Sequence, residues 1–399
     1  MKIVAGLGSV DEYIRFCEAG ADEFFAGYVP YDWNRKYGTM LPLNRREVLC
    51  SNVQLGAFSE LEILAAMVRK YKRLVHLTFN ALYYIPQQYP EIARIVTKCM
   101  ELGFQSFILA DPALICYLRQ NGIGCEIHLS GETSEVNSRM FSVFQEQEIA
   151  RLIFHRKNSF SDMKRVVENG RQQGKTLEYE AFVLNELCQF SGAFCNSLHC
   201  DEMGYLCRVP YRLGTVMRKN LMKAGETKEN RLENQRNWQR AENAETTENP
   251  AKRWKWDVQE RKMGENGGER NFGIPEPAEQ HPPEEAYTED GYLCGATGCG
   301  LCALYQLQKA GITHVKLVGR GNYVDFMERD IRNLKRALKI LEESCTEEQY
   351  QKRMKQTLFP CGCSGNCYYR WVREQSGNLP DREIFIHGRE AYRGLEVKS

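Results

Sequence analysis

The chain has 399 residues, 43% of them hydrophobic and 26% charged, with a formal net charge of +1. That length suits one large α/β barrel or two ordinary domains, and the apolar content allows a sizeable core. The neutral balance excludes recruitment of nucleic acid or a membrane surface by bulk charge and leaves only local patches for either.

The opening MKIVAGLGSVDEYIRF has one Lys, a short apolar run and then charges, which fits neither a signal peptide nor a transmembrane segment. A cytoplasmic protein with no membrane span is expected. KIVAGLG reads as a strand and SVDEYIRFCEAG as an amphipathic helix, with Val10, Ile14 and Cys17 at helical spacing. Strand patterns then recur in DEFFAG, LVHLTFN, SFILA, EIHLS, RLIFHR, LEYEAFVL and, much later, HVKLVGR. Between them lie helical stretches such as ELEILAAMVRKYK, YPEIARIVTKCMELG, PALICYLRQNG and FSDMKRVVENGRQQG, several closed by a C-cap glycine. Strands alternating with helices in this way predict an α/β fold, a TIM-like (β/α)8 barrel with room for irregularity, whose chemistry gathers at the C-terminal strand ends. Asn80, Asp111, His128, Arg156 and Glu180 are the polar residues on or just after those strands.

From about Met222 to Asp290 the composition turns to Glu, Lys, Arg, Asn and Gln, a segment too polar to bury a core and expected to be a disordered insertion. Trp238, Trp254 and Trp256 stand out within it, the last two in KRWKW, where cations alternate with stacking rings. The expected organisation is barrel strands and a first Cys-rich segment over 1–221 and the insertion over 222–290. A second Cys segment with the last strand and helix follows over 291–345, then a Cys-containing tail over 346–399.

Sixteen cysteines in a reducing compartment are unlikely disulfides, so clustered ones are read as metal or redox groups. Cys17, Cys50, Cys99, Cys116 and Cys125 are scattered in apolar or helical contexts and read as small buried hydrophobes. The remainder fall chiefly in CQFSGAFCNSLHCDEMGYLC, with Cys188, Cys195, Cys200 and Cys207, in CGATGCGLC, with Cys294, Cys299 and Cys302, and in CGCSGNC, with Cys361, Cys363 and Cys367. Thiolates select zinc or iron-sulfur clusters over hard cations. The gaps in the first group do not match the C-x2-4-C knuckles of structural zinc, whereas a [4Fe-4S] cluster accepts thiolates from separate loops.

Several segments resemble the peptidase U32 family, formerly described as collagenase-like proteases. They include GSVDEYIRFCEAGADEFFAG, LVHLTFNALYY, GFQSFILADPALICYLRQ, EIHLSGETSEVNS and, most specifically, EAFVLNELCQFSGAFC. GYLCRVPYR and LCALYQLQKAGITHVKLVGRGNY are similar to two later family elements. Members of that family studied as hydroxylases carry a [4Fe-4S] cluster on four cysteines, and the resemblance implies Cys188, Cys195, Cys207 and Cys302 as ligands. Cys200 is left as a spare or substitute thiol, and a second metal site in the CGCSGNC tail is a separate expectation. The sequence departs from the family pattern at Leu184, where a His is common, at Asn185, where a Gly is usual, at Lys157 and Val318, where Glu is typical, and in the early position of Ser191 and Gly192.

The resemblance implies oxygen-independent hydroxylation of a tRNA or rRNA base or of a quinone precursor, with a prephenate-type oxygen donor as cosubstrate and a homologous U32 subunit as partner. Arg156 and Arg320 are the candidates for a two-point carboxylate contact. Asn80, His128 and Glu180 are the candidates for orienting substrate or moving protons, His128 foremost by its ordinary pKa. Two other readings stand beside this one: the peptidase of the family name, for which no local nucleophile arrangement or H-E-x-x-H signature is visible, and a non-catalytic metal-bearing partner subunit.

Overall fold

The computed structural model describes residues 1–38, 41–45, 53–133, 143–144, 147–174, 176–188 and 286–369. Within them eight parallel strands close into a barrel in chain order. The strands are β1 (Lys2–Leu7), β2 (Glu23–Gly27), β3 (Val75–Phe79), β4 (Ser106–Leu109), β5 (Glu126–Leu129), β6 (Ile149–Ile153), β7 (Glu178–Leu184) and β8 (His314–Leu317). β8 closes on β1 with Lys2 opposite His314 and Val4 opposite Lys316. The expected strands are thus all present. The expected insertion over 222–290 lies outside the described residues up to 285.

The helices cover the barrel because each carries one apolar face. They are α1 (Glu12–Ala19), α2 (Tyr31–Tyr37), α3 (Phe58–Tyr71), α4 (Tyr89–Leu102), α5 (Pro112–Gln120), α6 (Phe160–Gln172), α7 (Leu304–Ala310), α8 (Val324–Glu342) and α9 (Glu347–Leu358). In α8, Met327, Ile331, Leu334, Leu338 and Leu341 are buried at three- and four-residue spacing. The glycines expected to stop α1 and α4 do so, Gly20 and Gly103 both adopting the left-handed conformation that releases the last turn. Asp111 is a helix cap: its Oδ1 accepts from the backbone N of Ala113 at 2.8 Å. Among the described residues no helix is long and apolar enough to cross a membrane.

Inside the barrel the strands present alternate residues in layers. The lower layers, made from early strand positions, are charged rather than aliphatic. Arg151 donates to Glu23 at 2.6 Å, to Glu178 at 2.6 Å and to Glu180 at 3.0 Å. Lys316 donates to the other oxygen of Glu180 at 2.8 Å, and His76 and His314 both approach Glu23. Burial alone would raise the Glu180 carboxyl, but Lys316 and Arg151 outweigh it and hold the group down at about 2. Next toward the C-terminal ends lies an apolar layer of Val4, Phe25, Ile108, Ile153 and Phe182. Phe25 and Phe182 lie over the ammonium of Lys316, their ring centres 4.0 and 5.9 Å from its Nζ.

Candidate functional site

The C-terminal mouth of the barrel is built from residues that follow the strand ends. Arg320, in the loop after β8, is buried and donates to Gln54 Oε1 at 2.8 Å and Thr78 Oγ1 at 3.4 Å. Arg156, after β6, lies with its guanidinium carbon 4.0 Å from the centre of the Phe182 ring and contacts Glu132 at 3.5 Å. Arg45 pairs with the other oxygen of Glu132 at 2.9 Å. Asn80, after β3, accepts from the backbone N of Arg45 at 3.2 Å and donates its own backbone N to Asn44 at 3.2 Å. Burial would lower the pKa of Arg156, but facing Tyr368, Glu132, Cys188 and Glu186 raises it, so the guanidinium stays charged. Arg156 and Arg45 thus share the Glu132 carboxylate, while Arg320 is held by Gln54 and Thr78 at the ends of β2 and β3.

Close approach makes room for them. A Cβ built on Gly27, the last residue of β2, would stand 1.6 Å from Gln54 Oε1 and 1.9 Å from the Arg320 guanidinium. Only glycine lets the Arg320 side chain lie across the end of β2.

Of the residues expected at the site, Asn80, Arg156 and Arg320 are at the mouth. His128 and Glu180 are not. Each is the third residue of its strand, on the far side of the Phe25 and Phe182 layer from Arg156 and Arg320. His128 is fully buried and bonded to Glu126 at 2.9 Å, and burial, then His76 and Arg151, push its pKa well below the ordinary value. Alternation turns both into the barrel interior, Glu180 between Arg151 and Lys316 and His128 against Glu126. Arg45, Gln54 and Glu132 were missed because they lie in loops with no strand pattern to mark them.

The cysteine segments meet beside this mouth. After β7 the chain turns sharply, with Asn185 at φ 66° and Glu186 at φ 50°, both in the left-handed region. Asn185 occupies the position where the family usually has Gly, and Asn is among the few side chains that tolerate this region. Its amide donates to Asp330 of α8 at 2.8 Å and is buried, which holds the turn without glycine. Beyond it the backbone pairs with the CGATGCGLC loop, Asn185 N to Gly298 O and Leu187 N to Thr297 O, each at 2.8 Å. This pairing carries half-buried Cys188 on one side and leads to half-buried Cys302 on the other. Cys195, Cys200 and Cys207 lie outside the described residues. Among the described residues no three Cys, His, Asp or Glu side chains are already gathered as an ion site.

The fold and the mouth define a parallel (β/α)8 barrel with an arginine-lined C-terminal opening flanked by cysteine loops. The profile described as Peptidase family U32 matches residues 8–369, and the chain belongs to that family. The tRNA hydroxylation protein P of Escherichia coli (strain K12) is 26% identical over 198 residues, 49% of this chain and 38% of that protein. The protein of the same name from Haemophilus influenzae is 30% identical over 111 residues, 28% of this chain and 22% of that protein. The chain therefore spans well under half the length of these curated relatives. A solved U32 peptidase structure overlaps 46% of this chain and 69% of its own, with 11% identity and a TM-score of 0.35. A glycerophosphodiester phosphodiesterase from Parabacteroides distasonis overlaps 46% of this chain and 84% of its own, with 12% identity and a TM-score of 0.33.

Proposed function

We propose that the chain is an iron-sulfur hydroxylase of the U32 family, acting on a tRNA base without molecular oxygen, with a carboxylate-bearing donor of the prephenate type. The observation that carries the reading is the placement of buried Arg156 and Arg320 just after β6 and β8, with a thiol, Cys188, just beyond β7 between those strands. The names of the two curated relatives favour tRNA over rRNA or a quinone precursor.

Cys188, Cys195, Cys207 and Cys302 would hold the cluster, and the donor set fits it in chemistry, since four soft thiolates are what such a cluster takes. When bound, the cluster supplies an iron that polarises the oxygen donor or passes electrons. Arg320 and Arg156 bind the donor's carboxylates by paired N–H contacts, which fixes its orientation. The Phe182 face beneath Arg156 excludes water from that contact and strengthens it. Asn80, locked to Arg45 and Asn44, positions the loop that carries Arg45. A hydrolase reading is less well supported, because the described histidines, His76, His128, His155 and His314, are all buried at 2% exposure or less.

Nucleoside mass spectrometry of tRNA from a deletion strain tests the assignment. One hydroxylated nucleoside should vanish, return with the wild-type gene and stay absent with Cys188→Ala. An unchanged nucleoside profile would reject tRNA as substrate.

A further inference from the structure

Beyond Arg320 the surface of α8 continues away from the mouth as a series of rings and cations. Tyr323, at the N-cap of α8, is 79% exposed, and Tyr31 after β2 and Tyr83 after β3 are 71% and 67% exposed. These are the three most exposed aromatic rings among the described residues, and all three follow C-terminal strand ends on the side of the barrel that runs from β8 through β1 and β2 to β3. A tyrosine normally buries its apolar body, so rings left this open contribute little to the core. The Tyr31 ring lies against Gly56, where a Cβ would stand 2.9 Å from it, and Gln54, which holds Arg320, is two residues before. The Tyr323 ring meets Phe326 edge-on with centres 5.6 Å apart, and Phe326 meets buried Tyr292 at 5.3 Å. The Arg329 guanidinium carbon lies 5.1 Å from the Tyr292 ring centre and 5.9 Å from that of Phe326.

Tyr323, Phe326, Arg329, Arg332 and Arg336 follow one another at three- or four-residue steps, so each neighbours the next in a ridge that slants across the helix and rises about 20 Å from the rim. Arg329, Arg332, Asn333 and Arg336 form one wall of an open groove of about 840 Å³, and the loop from Tyr287 to Tyr292 forms the other. Carboxylates answer part of this charge. Asp290 takes both nitrogens of Arg329, at 2.6 and 3.1 Å, and Glu328 takes Arg332 while also pairing with Arg15 of α1 at 2.6 Å. Glu289 adds one further acid to the groove. Arg336 pairs with no carboxylate among the described residues. From Arg332 to Leu341 the exposed positions of α8 are Arg332, Lys335, Arg336 and Lys339, all cationic. An ordinary solvated helix face alternates its signs, whereas this one gathers positive charge in a chain that is nearly neutral overall.

We propose that this ridge is a binding track for a single-stranded segment of RNA, its phosphates held by Arg332, Arg336 and the lysines beside them and a base stacked on Tyr323 at the rim. The inference rests on the RNA substrate argued above and adds where, and in what state, the RNA is held. Cations interleaved with open rings suit an unpaired strand, because each unstacked base offers a face to an aromatic ring and each phosphate a charge to a guanidinium. A duplex keeps its base faces inside its own stack and leaves Tyr323 unused. The strand runs along α8 and reaches the mouth beside Arg320, three residues before Tyr323.

The test is fluorescence anisotropy of the full chain with a labelled oligouridylate of about 12 nucleotides, titrated at a series of salt concentrations. An RNA duplex of the same length and polyglutamate serve as competitors. Tyr323→Ala should raise the Kd about 5- to 150-fold, the range to which about 1–3 kcal/mol per stacked base converts, and Tyr323→Phe should restore it. Arg336→Ala should reduce the salt slope by about 0.7, the share of one phosphate, whereas replacing exposed Lys98 of α4 by Ala should leave the slope unchanged. Both replaced side chains are exposed and Tyr323 makes no side-chain cap bond, so the variants should melt with the wild-type chain. Binding by Tyr323→Ala and Arg336→Ala indistinguishable from wild type would overturn the track. So would a wild-type chain that does not bind the strand, or a strand displaced by duplex or polyglutamate as readily as by unlabelled oligouridylate. The hydroxylase reading is judged separately, on the nucleoside profile of the deletion strain. A nucleoside lost there with variant binding unchanged strikes the track alone, and an unchanged profile with binding lost in the variants strikes the tRNA assignment and keeps the track.

Discussion

At the scale of single residues, the charged interior is where the chain departs most from an ordinary barrel core. Arg151 answers Glu23, Glu178 and Glu180, so removal of any one partner leaves buried charge without its counterpart. Glu180→Gln is expected to cost about 3–5 kcal/mol at neutral pH, the usual scale for breaking a buried pair. The pH dependence carries a second signature. The folded Glu180 carboxyl is depressed to about 2, below an unfolded value of about 4.3, so its contribution is full above the unfolded value and is lost as pH falls through the folded one. Urea denaturation at a series of pH values should therefore show stability declining from about pH 4 toward pH 2 in wild-type protein. The decline should be shallower in Glu180→Gln, and identical slopes would show that Glu180 is not held in its ionised form. Little of this network was legible in sequence. The glutamate of EFFAG and the lysine of HVKL belong to no motif, and only the closed barrel shows that both turn inward.

At the scale of elements, the loops after the strands decide what the mouth can bind, and their spacing depends on the strand ends. Gly27→Ala should leave the fold nearly intact, since the atoms it meets are the ends of the flexible Gln54 and Arg320 side chains. It should nevertheless displace the Arg320 guanidinium. A charge-assisted hydrogen bond is worth about 1.5–3 kcal/mol, so the Kd for prephenate, measured calorimetrically, should rise about 10- to 100-fold. Equal affinity with equal melting temperature would remove Arg320 from the carboxylate contact. The strands were readable in the sequence because short aliphatic runs bounded by turn residues recur between amphipathic helices. Position along the strand is what separates Arg156 and Arg320, after the strand ends at the mouth, from His128 and Glu180, third residues of β5 and β7 inside the barrel. Asn185 shows the converse: it departs from the family's glycine, and the Asp330 hydrogen bond explains how the turn is kept.

At the scale of the whole molecule, three segments distant in sequence meet beyond β7: the Cys188 turn, the loop before α7 and the tail after α9. Cysteine clustering was plain in the sequence, but which clusters touch was not, because long-range pairing of glycine-rich loops leaves no periodic trace. The pairing of Cys299 with Cys367 had to be seen in the fold. Cys195 and Cys207 lie outside the described residues, and their place in a cluster follows from the family motif, in which Cys200 has no counterpart. The central claim is that this barrel is an iron-sulfur protein, and the most direct measurement is iron and acid-labile sulfide per chain after anaerobic purification, with and without Cys188→Ala. The account predicts about four of each in the wild-type chain and a collapse of both in the variant. A wild-type chain with neither iron nor sulfide, even after anaerobic reconstitution, would contradict it.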